Sequence, residues 1–242
     1  MKSVFPLRPF MAVFLSLLFA ASLGAQELTE PQNSPEGQSF SERLTWSFNG
    51  SILFFPEDNG NEGDPAPVLP SAGVNLAYHI DGRYYVELTE DLYFTDYAWS
   101  VKLERAVPAA IENRSAFVFG FLTGIQAIVK FPVNDTWSFR VFGGPAFDFR
   151  VIALNTHHPD DFGGGLAHDA QLQTDAIFDY FWGKGRWLLP VVGGGADFSI
   201  NEGFLLGLDL RVWIPMYKMW SGEELPAIEG WRFGASLRIT LR

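Results

Sequence analysis

Apolar and polar side chains alternate along most of this chain, in short runs separated by turn-forming residues. Alternation with a period of two places successive side chains on opposite faces of a β-strand. The clearest run is the last one, where the apolar positions are Phe233, Ala235, Leu237, Ile239 and Leu241 and the interleaved positions are Arg232, Gly234, Ser236, Arg238 and Thr240. A strand of about ten residues with this pattern has the length needed to cross a bilayer within a closed barrel.

Eight segments carry the alternation, at residues 44–55, 71–80, 83 onward, 116–131, 137–153, 186–200, 204–214 and 231–241. The third segment is the least regular, because Thr89, Glu90 and Asp91 interrupt it. It is either bulged or continues beyond the membrane towards Val101. Pro190 and three consecutive glycines weaken the sixth segment, since proline cannot donate to a β-ladder and glycine has no side chain to pack.

The connections between these segments alternate in length. Short connections are predicted at 81–82, where Asp-Gly favours a tight hairpin, at 132–136 and at 201–203. Long connections are predicted at 56–70, 104–114, 155–184 and 215–230. Short turns at one end and long loops at the other are typical of membrane barrels. The sequence therefore predicts an all-β fold, an eight-stranded antiparallel up-and-down transmembrane β-barrel.

Alternation alone also fits a soluble barrel with the same pattern turned inside out. Two observations favour lipid outside. The apolar faces of the fourth, fifth, seventh and eighth segments carry no charge. Bulky aromatic residues gather near strand ends, as in the interface girdles of membrane proteins. The predicted girdle residues are Trp46, Tyr78, Tyr84, Trp137, Phe198 and Phe204 at the turn end, and Phe54, Phe117, Phe149 and Trp231 at the loop end.

The opposite face of the strands supplies two candidate sites. Its charged residues are expected to pair across the lumen, because an unpaired buried charge is costly, and a polar conduit is the alternative. They are Arg140, Asp148, Arg150, Asp209, Arg211, Arg232 and Arg238. Near the loop end this face becomes apolar, which predicts a hydrophobic mouth for a small ligand or ordinary packing beneath folded loops. The mouth residues are Leu53, Val118, Leu122, Ile152, Trp187, Leu189 and Trp213.

The N-terminal 25 residues differ from the rest of the chain. Two basic residues precede an apolar stretch at 10–20 and small residues near Ala25, which is the order of a secretory signal peptide. We expect residues 1–25 to be a signal peptide, 26–42 a disordered periplasmic leader and 43–242 an outer-membrane β-barrel. Without Lys2 and Arg8 the chain has 15 basic against 28 acidic residues, a net charge of −13, so nucleic acid is not an expected partner.

The architecture and the last strand together resemble small eight-stranded bacterial outer-membrane proteins of the OmpW/OmpX kind. The family's assembly signal has the form polar-x-Gly-x-x-apolar-x-apolar, which residues 232–239 match through Arg232, Gly234, Leu237 and Ile239. The chain departs from the family by ending in Arg242 instead of an aromatic residue. The resemblance implies outer-membrane lipid and the barrel assembly machinery as partners, and a small hydrophobic ligand.

The histidines and cysteines indicate little chemistry. The chain has no cysteine, which excludes disulfides and thiolate metal sites. His79 is expected to be a satisfied interior residue. His157, His158 and His168 could supply metal ligands, but adjacent histidines diverge in an extended chain, so a solvated loop is favoured. No nucleophile motif accompanies them, and neither an enzyme nor a cofactor is predicted.

Two functional hypotheses follow. The first is an outer-membrane barrel that binds or passes small hydrophobic molecules through its loop-side mouth. The alternative is a structural or surface-interaction barrel, similar to an adhesin, that acts through its extracellular loops.

Overall fold

The computed structural model describes residues 40–58, 68–155, 170–222 and 227–241. Ten strands and two α-helices lie in these ranges. The strands are β1 (Leu44–Phe54), β2 (Val68–Asp81), β3 (Tyr84–Ser100), β4 (Arg105–Pro108), β5 (Ala116–Pro132), β6 (Trp137–Gly144), β7 (Ala146–Asn155), β8 (Val191–Asn201), β9 (Phe204–Trp213) and β10 (Arg232–Leu241). The helices are α1 (Ala170–Trp182) and α2 (Lys218–Ser221).

The chain divides into two units, residues 1–44 and 45–242. In the first unit, the described residues form a short 3-10 helix, Phe40–Arg43, followed by the first residue of β1. Residues 40–42, the last three of the predicted leader, belong to this helical turn. The predicted signal peptide and the rest of the leader lie outside the described residues.

The long strands form a closed antiparallel ring. β1, β2, β3 and β5 pair in succession, β6 and β7 both pair with β5, β6 pairs with β8, and β8, β9 and β10 pair in succession. β1 closes the ring by pairing with β10 from Trp46–Leu241 to Phe54–Phe233. β6 and β7 together take the place of one long strand, so the ring has eight members. The predicted eight-stranded antiparallel transmembrane barrel is confirmed. The connections 82–83, 133–136 and 202–203 are short and lie at one end, here called the turn end.

The fifth predicted strand is not continuous. Pro145 separates β6 from β7, because proline has no N–H to donate to a ladder. Its carbonyl still accepts a bond of 3.0 Å from the Ile125 amide, which keeps both pieces against β5. The third strand shows the opposite: β3 runs uninterrupted through Thr89, Glu90 and Asp91 and continues to Ser100.

The sixth predicted strand begins later than the alternation indicated. β8 starts at Val191, and residues 186–190 form a turn with only an isolated bridge between Leu188 and Phe147. Pro190 cannot donate in a ladder, and the Arg186 guanidinium donates a 2.8 Å bond back to the Tyr180 carbonyl. The preceding segment, predicted as a loop, contains α1, which packs at the loop end against β3, β4 and β7.

The two faces of the ring differ as the alternation predicts. On β9 and β10, Leu208, Leu210 and Leu237 point outward with exposed side chains, whereas Asp209 and Arg238 are buried inside. Within the described residues no helix has both the length and the apolar character required to span a bilayer. The outward apolar faces of the strands form the surface that contacts lipid.

Candidate functional site: the filled lumen and the loop-side rim

The turn-end part of the lumen contains a dense ionic cluster, here called the lower cluster. Arg140 donates from Nε to Asp209 at 2.8 Å and lies 3.2 Å from Glu87. Arg238 donates from Nε to the same Asp209 at 3.1 Å and also pairs with Asp197. Lys130 completes the cluster at 3.6 Å from Asp197. Asp209, which accepts from two arginines, is therefore the centre of this cluster.

A second group of ion pairs, the upper cluster, lies nearer the loop end. Asp148 accepts from Arg150 at 2.7 Å, from Arg232 at 2.6 Å and from the Tyr93 hydroxyl at 2.7 Å. The Tyr97 hydroxyl donates to Glu57 at 2.6 Å. Between the two clusters, Arg211 pairs with Asp91 at 2.6 Å, and Asn49 also donates to Asp91.

The charges within the described lumen balance. The cations of these clusters are Lys130, Arg140, Arg150, Arg211, Arg232 and Arg238, and the anions are Glu57, Glu87, Asp91, Asp148, Asp197 and Asp209. Each cation is within ion-pair distance of at least one anion. Because the interior of an eight-stranded barrel is about filled by side chains, this pairing among the described residues favours a plug over a polar conduit.

The structure brings all seven lumen charges predicted from sequence into the two clusters or into the Arg211–Asp91 pair between them, and each is buried. Sequence reasoning missed Glu57, Glu87, Asp91, Lys130 and Asp197. For Glu87 and Asp91 the alternation of β3 was a usable signal. They lie at alternate positions with Tyr85, Thr89 and Tyr93, on the face of the strand that points inward. The charged residue between them, Glu90, faces outward and concealed that regularity.

The mouth residues divide into separate groups. Leu53, Leu122, Leu189 and Trp213 pack with Phe55 and Tyr93 in one buried cluster. Val118 and Ile152 belong to a second cluster, which α1 covers through Ile177 and Phe181. The predicted mouth is thus filled by the chain's own side chains in this state.

Trp187 does not lie in the mouth, and its predicted inward position is wrong. Residue 187 precedes β8, so strand parity does not set its direction, and its ring stacks at 5.9 Å on the outward-facing Phe147. Phe147 is 6.0 Å from Phe149, and Phe149 is 5.9 Å from Trp182 at the end of α1. These rings form an aromatic row that ties the segment before β8 to the outer surface of β7.

The other predicted residues are placed as follows. The ten girdle residues occupy exposed or half-buried outward positions, with ring contacts such as Trp137–Phe198 at 4.9 Å and Phe54–Phe233 at 6.1 Å, and Phe149 lies in the interior of the sheet opposite Phe121. In the assembly motif, Arg232 points inward and Leu237 and Ile239 point outward. Gly234 lies beneath the Trp213 ring, where an added Cβ would meet ring carbons at 2.9 Å. This glycine thus has a packing role in the folded barrel.

Within the described part of the chain, the histidines do not form a catalytic site. His79 Nε2 is 2.9 Å from the Gly82 carbonyl, and its ring stacks on Tyr85. His157, His158 and His168 lie outside the described residues. Among the residues that are described, no group of three or more histidine, aspartate or glutamate side chains could hold a metal ion.

A gap in strand pairing creates a cavity at the loop-side rim. Along one edge of β3, β2 pairs as far as Tyr93 and β4 begins at Tyr97, so neither strand pairs with the residues between. A cavity of about 240 Å³ lies at this gap, here called the rim cavity. Its apolar lining includes Phe55, Leu69, Phe94, Tyr97, Pro108 and Ile111, and its polar lining includes Glu57, Thr95 and Asp96.

The acidic groups of the rim cavity are already neutralised by the protein. Glu57 accepts from Tyr97 and lies 3.6 Å from Arg150, and Asp96 pairs with Arg114 at 2.9 Å. Since neither carboxylate lacks a partner, the cavity does not select for a charged ligand. Its chemistry suits an uncharged molecule with an apolar body and a small polar group.

Glu90 is a carboxyl on the outward face of β3, among lipid-facing residues. Its Oε2 accepts a 2.6 Å bond from Thr123, and its Oε1 is buried without a hydrogen-bond partner in the described structure. We expect Glu90→Leu to raise the free energy of unfolding by about 1 kcal/mol, because an unsatisfied acceptor is removed from an apolar surface. Urea unfolding in lipid vesicles, followed by tryptophan fluorescence, measures this change.

Glu87→Leu is the matched control, three residues away on the inner face of the same strand. It should lower stability, because Arg140 loses a partner at 3.2 Å. Destabilisation by both substitutions would contradict the outward, unsatisfied state of Glu90.

Glu229 links the β9–β10 connection to β4 and, through Arg105, to the segment after β1. It pairs with Arg105 of β4, which also donates a 2.7 Å bond to the Asp58 carbonyl. Burial raises the pKa of Glu229 from its ordinary 4.5 to about 7; Arg105 opposes this shift, whereas Glu57 and Asp58 add to it. Lys218 also faces this carboxyl, which opposes the lowering of the pKa of Lys218 by burial.

The raised pKa predicts a pH-dependent loop contact. A carboxyl whose pKa rises on folding contributes stability below pH 4.5 that is lost as the pH rises through about 7. Limited proteolysis of the 214–231 connection should therefore be faster at neutral than at acidic pH, after correction with an unfolded substrate. Glu229→Gln should remove this dependence, and an unchanged profile in that variant would assign it to another group.

The closed antiparallel ring, the apolar outer face and the alternating connections define the class of this protein as a transmembrane β-barrel. No family model and no curated protein matches the chain. Several solved structures resemble the chain at low sequence identity. The fold assignment itself rests on the strand pairing described above.

Three of these structures illustrate the likeness. Neisserial surface protein A is 9% identical with a TM-score of 0.47, over 82% of this chain and 96% of that chain. The outer membrane protein OprG from Pseudomonas aeruginosa is 9% identical with a TM-score of 0.43, over 82% and 91%. The outer membrane protein AlkL, studied in lipid bilayers, is 11% identical with a TM-score of 0.38, over 90% and 94%.

Proposed function

We propose that this protein is an outer-membrane barrel that binds small, uncharged amphipathic molecules in the rim cavity. The observation that carries the proposal is a gradient of exposure across the cavity lining. Phe94 and Ile111 are 42% and 68% exposed on the outer side, whereas Phe55 is 4% exposed at the inner end. This gradient supports entry of a ligand from the lipid-facing side, where apolar molecules concentrate.

Passage straight down the lumen is not part of the proposal. The paired charges of the two clusters fill the interior below the rim cavity, and moving any of them would leave a buried charge unpaired. The proposed activity is therefore binding at the rim, with release sideways or towards the loops.

A filled-cavity variant tests the proposal. Ala109 lines the rim cavity, and Ala109→Trp places a large ring in it. Ala127→Trp is the matched control, because Ala127 is exposed on the outer face of β5 near the turn end. The probe is N-phenyl-1-naphthylamine, whose saturable quenching of protein tryptophan fluorescence reports binding to barrels in nanodiscs.

Saturable quenching is expected in the wild type and in Ala127→Trp, and it should disappear in Ala109→Trp. Planar bilayers containing the wild-type protein should show no steady conductance. The proposal is overturned if the wild type shows no saturable quenching, or if the two tryptophan variants bind the probe equally.

A surface-interaction role is the second candidate, supported by a separate observation. Met219 is 77% exposed and lies beside the half-exposed Trp220 in α2, at the loop end. Large exposed apolar side chains on a loop surface are typical of contact sites. Attachment of whole cells that requires Met219 and Trp220, and that Ala109→Trp leaves intact, would favour this role over ligand binding.

A further inference from the structure

The open edge of β3 beside the rim cavity has a defined hydrogen-bonding direction. In a strand, the N–H and C=O of one residue point to the same edge, and successive residues alternate between the two edges. The Asp96 carbonyl accepts a 3.0 Å bond from the amide of Ala109, the residue after β4. The Tyr97 carbonyl accepts from Ser115 on the opposite edge, at 2.8 Å. Phe94 and Asp96 therefore direct their backbone groups towards β2 and β4, into the gap between those strands.

Pro70 leaves the Phe94 carbonyl without its ladder donor. Ser71 is opposite Tyr93 in the antiparallel register of β2 and β3, so the preceding Pro70 is opposite Phe94. A residue at this position would donate its N–H to the Phe94 carbonyl, but proline has no N–H. The ladder ends here, and the Phe94 carbonyl is an acceptor at the edge of the rim cavity.

The Asp96 amide is the matching donor. A hydrogen-bonded antiparallel pair exchanges two bonds. Ala109 donates to Asp96, but among the described residues no bond returns from the Asp96 amide to Ala109. Phe94 and Asp96 both line the rim cavity, with Thr95 between them. The cavity therefore presents one backbone acceptor and one backbone donor, two residues apart on the same edge.

This spacing of acceptor and donor matches one amino-acid unit. In a parallel ladder, the N–H and C=O of a single residue bond to the C=O and N–H of the two residues that flank its partner. Here the partner is Thr95. A ligand N–H would donate to the Phe94 carbonyl, and a ligand carbonyl one carbon away from that N–H would accept from the Asp96 amide.

The side chains of the rim cavity define the two ends of such a ligand. Phe55 packs edge-on against Tyr93 at 5.0 Å, on the side of the gap where the ligand N–H lies, so an acyl group on that nitrogen meets apolar rings. The carboxylates of Glu57 and Asp96 already have cationic partners, so the other end of the ligand is uncharged, as in an ester or an amide.

We propose that the rim cavity recognises N-acylated amino-acid esters or amides, bound in the gap as a parallel extension of the sheet one residue long. The Phe94 carbonyl and the Asp96 amide hold the amino-acid unit, and the acyl chain lies on the Phe55 side. This inference rests on the proposed function, because it names the ligand class of the same cavity.

Two uncharged ligands that differ at one position test the acceptor. The first is methyl N-hexanoylglycinate, and the second is methyl hexanoyloxyacetate, in which an ester oxygen replaces the N–H. Each displaces N-phenyl-1-naphthylamine from the barrel in nanodiscs, with a correction for partitioning into protein-free nanodiscs. The amide should bind about tenfold more tightly, because the ester oxygen faces the Phe94 carbonyl and leaves it unpaired.

Two proline substitutions identify the Phe94 carbonyl as the acceptor. Pro70→Ala supplies the missing N–H opposite Phe94, so the tenfold preference for the amide should fall towards equality. Pro108→Ala is the matched control. Pro108 also lines the rim cavity, but its nitrogen points away from β3, because the next residue, Ala109, directs its amide to Asp96. This control should keep the preference.

The Asp96 amide is tested by comparing Asp96→Pro with Asp96→Ala. Both substitutions remove the carboxylate, but only proline removes the N–H. Both ligands should therefore bind about tenfold more weakly to Asp96→Pro than to Asp96→Ala. Heat-modifiable mobility on gels shows that each variant is folded, and the comparison of the two ligands in the wild type needs no variant.

The outcomes separate this inference from the proposed function. Equal affinity of the wild type for the two ligands, in protein that binds N-phenyl-1-naphthylamine, overturns the recognition of the amide and keeps the proposed function. A wild type that binds none of the three compounds overturns both. An equal loss of preference in Pro70→Ala and Pro108→Ala overturns the role of the Phe94 carbonyl, and equal binding to the two Asp96 variants overturns that of the Asp96 amide.

Discussion

Asp209→Asn is expected to lower the free energy of unfolding by about 3–5 kcal/mol, the cost of removing one member of a buried ionic group. Asp209 is fully buried and accepts from Arg140 at 2.8 Å and from Arg238 at 3.1 Å. An asparagine has nearly the same shape but no charge, so both guanidinium groups lose their shared counter-ion. Arg140 keeps Glu87 and Arg238 keeps Asp197, which limits the loss.

The measurement is urea unfolding of the barrel in vesicles, followed by tryptophan fluorescence and by heat-modifiable mobility on gels. Asp135→Asn is the matched control, because Asp135 is exposed in the 133–136 turn. It should change stability by less than about 0.5 kcal/mol. Equal midpoints for the two variants would show that the lower cluster contributes nothing to stability.

Gly120→Ala is expected to cost about 1–3 kcal/mol by overpacking the lumen wall. An added Cβ at Gly120 would lie 1.9 Å from Cζ of Tyr93, a contact that forces the ring to move. The Tyr93 hydroxyl donates to Asp148 and accepts a 3.2 Å bond from Arg232, so displacing the ring also disturbs the upper cluster.

Gly50→Ala is the control for this prediction. An added Cβ at Gly50 meets nothing within 4 Å on the outer face of β1. Alanine there should be neutral or slightly stabilising, since it restricts the unfolded chain. Similar losses at both positions would indicate a general intolerance of strand glycines, not a requirement for space beneath Tyr93.

The balanced and paired charges of the lumen bear on whether the barrel can conduct ions. A conducting barrel needs a continuous wet path, but here successive ionic groups occupy the interior from Lys130 and Asp197 near the turn end to Arg150 and Glu57 near the rim. The places where the chain can accommodate another molecule are therefore at the loop end. The rim cavity at the gap between β2 and β4 is such a place.

Much of the barrel could be predicted because strand alternation is a local property. The last strand needs only its own side chains to show which positions are apolar, and Leu237 and Ile239 point outward as expected. Strand ends were harder to predict. The interruption at Pro145 is bridged by a bond from the Ile125 amide of β5, and the turn before Val191 is held by the Arg186 side chain on the Tyr180 carbonyl, so both strand ends depend on contacts outside the strand itself.

The site was less predictable than the fold. Burial of Arg140 or Arg238 follows from strand parity, but their partners depend on which strands are neighbours across the lumen. Glu87 lies 53 positions from Arg140 in the chain, and Asp197 lies 41 from Arg238. The direction of Trp187 could not be predicted for a different reason. Alternation sets the direction of a side chain only within a strand, and residue 187 precedes β8.

The sequence by itself determined the eight-stranded barrel, the identity of its lipid face and the inward position of most of its charges. These depend on the two-residue repeat of the β-strand and on turn chemistry, both of which are local. Only the tertiary structure decided that the charges pair into a plug, that α1 covers part of the mouth and that a gap opens beside Phe94 and Tyr97. These features arise where segments distant in sequence meet, and their contacts depend on strand register and barrel closure.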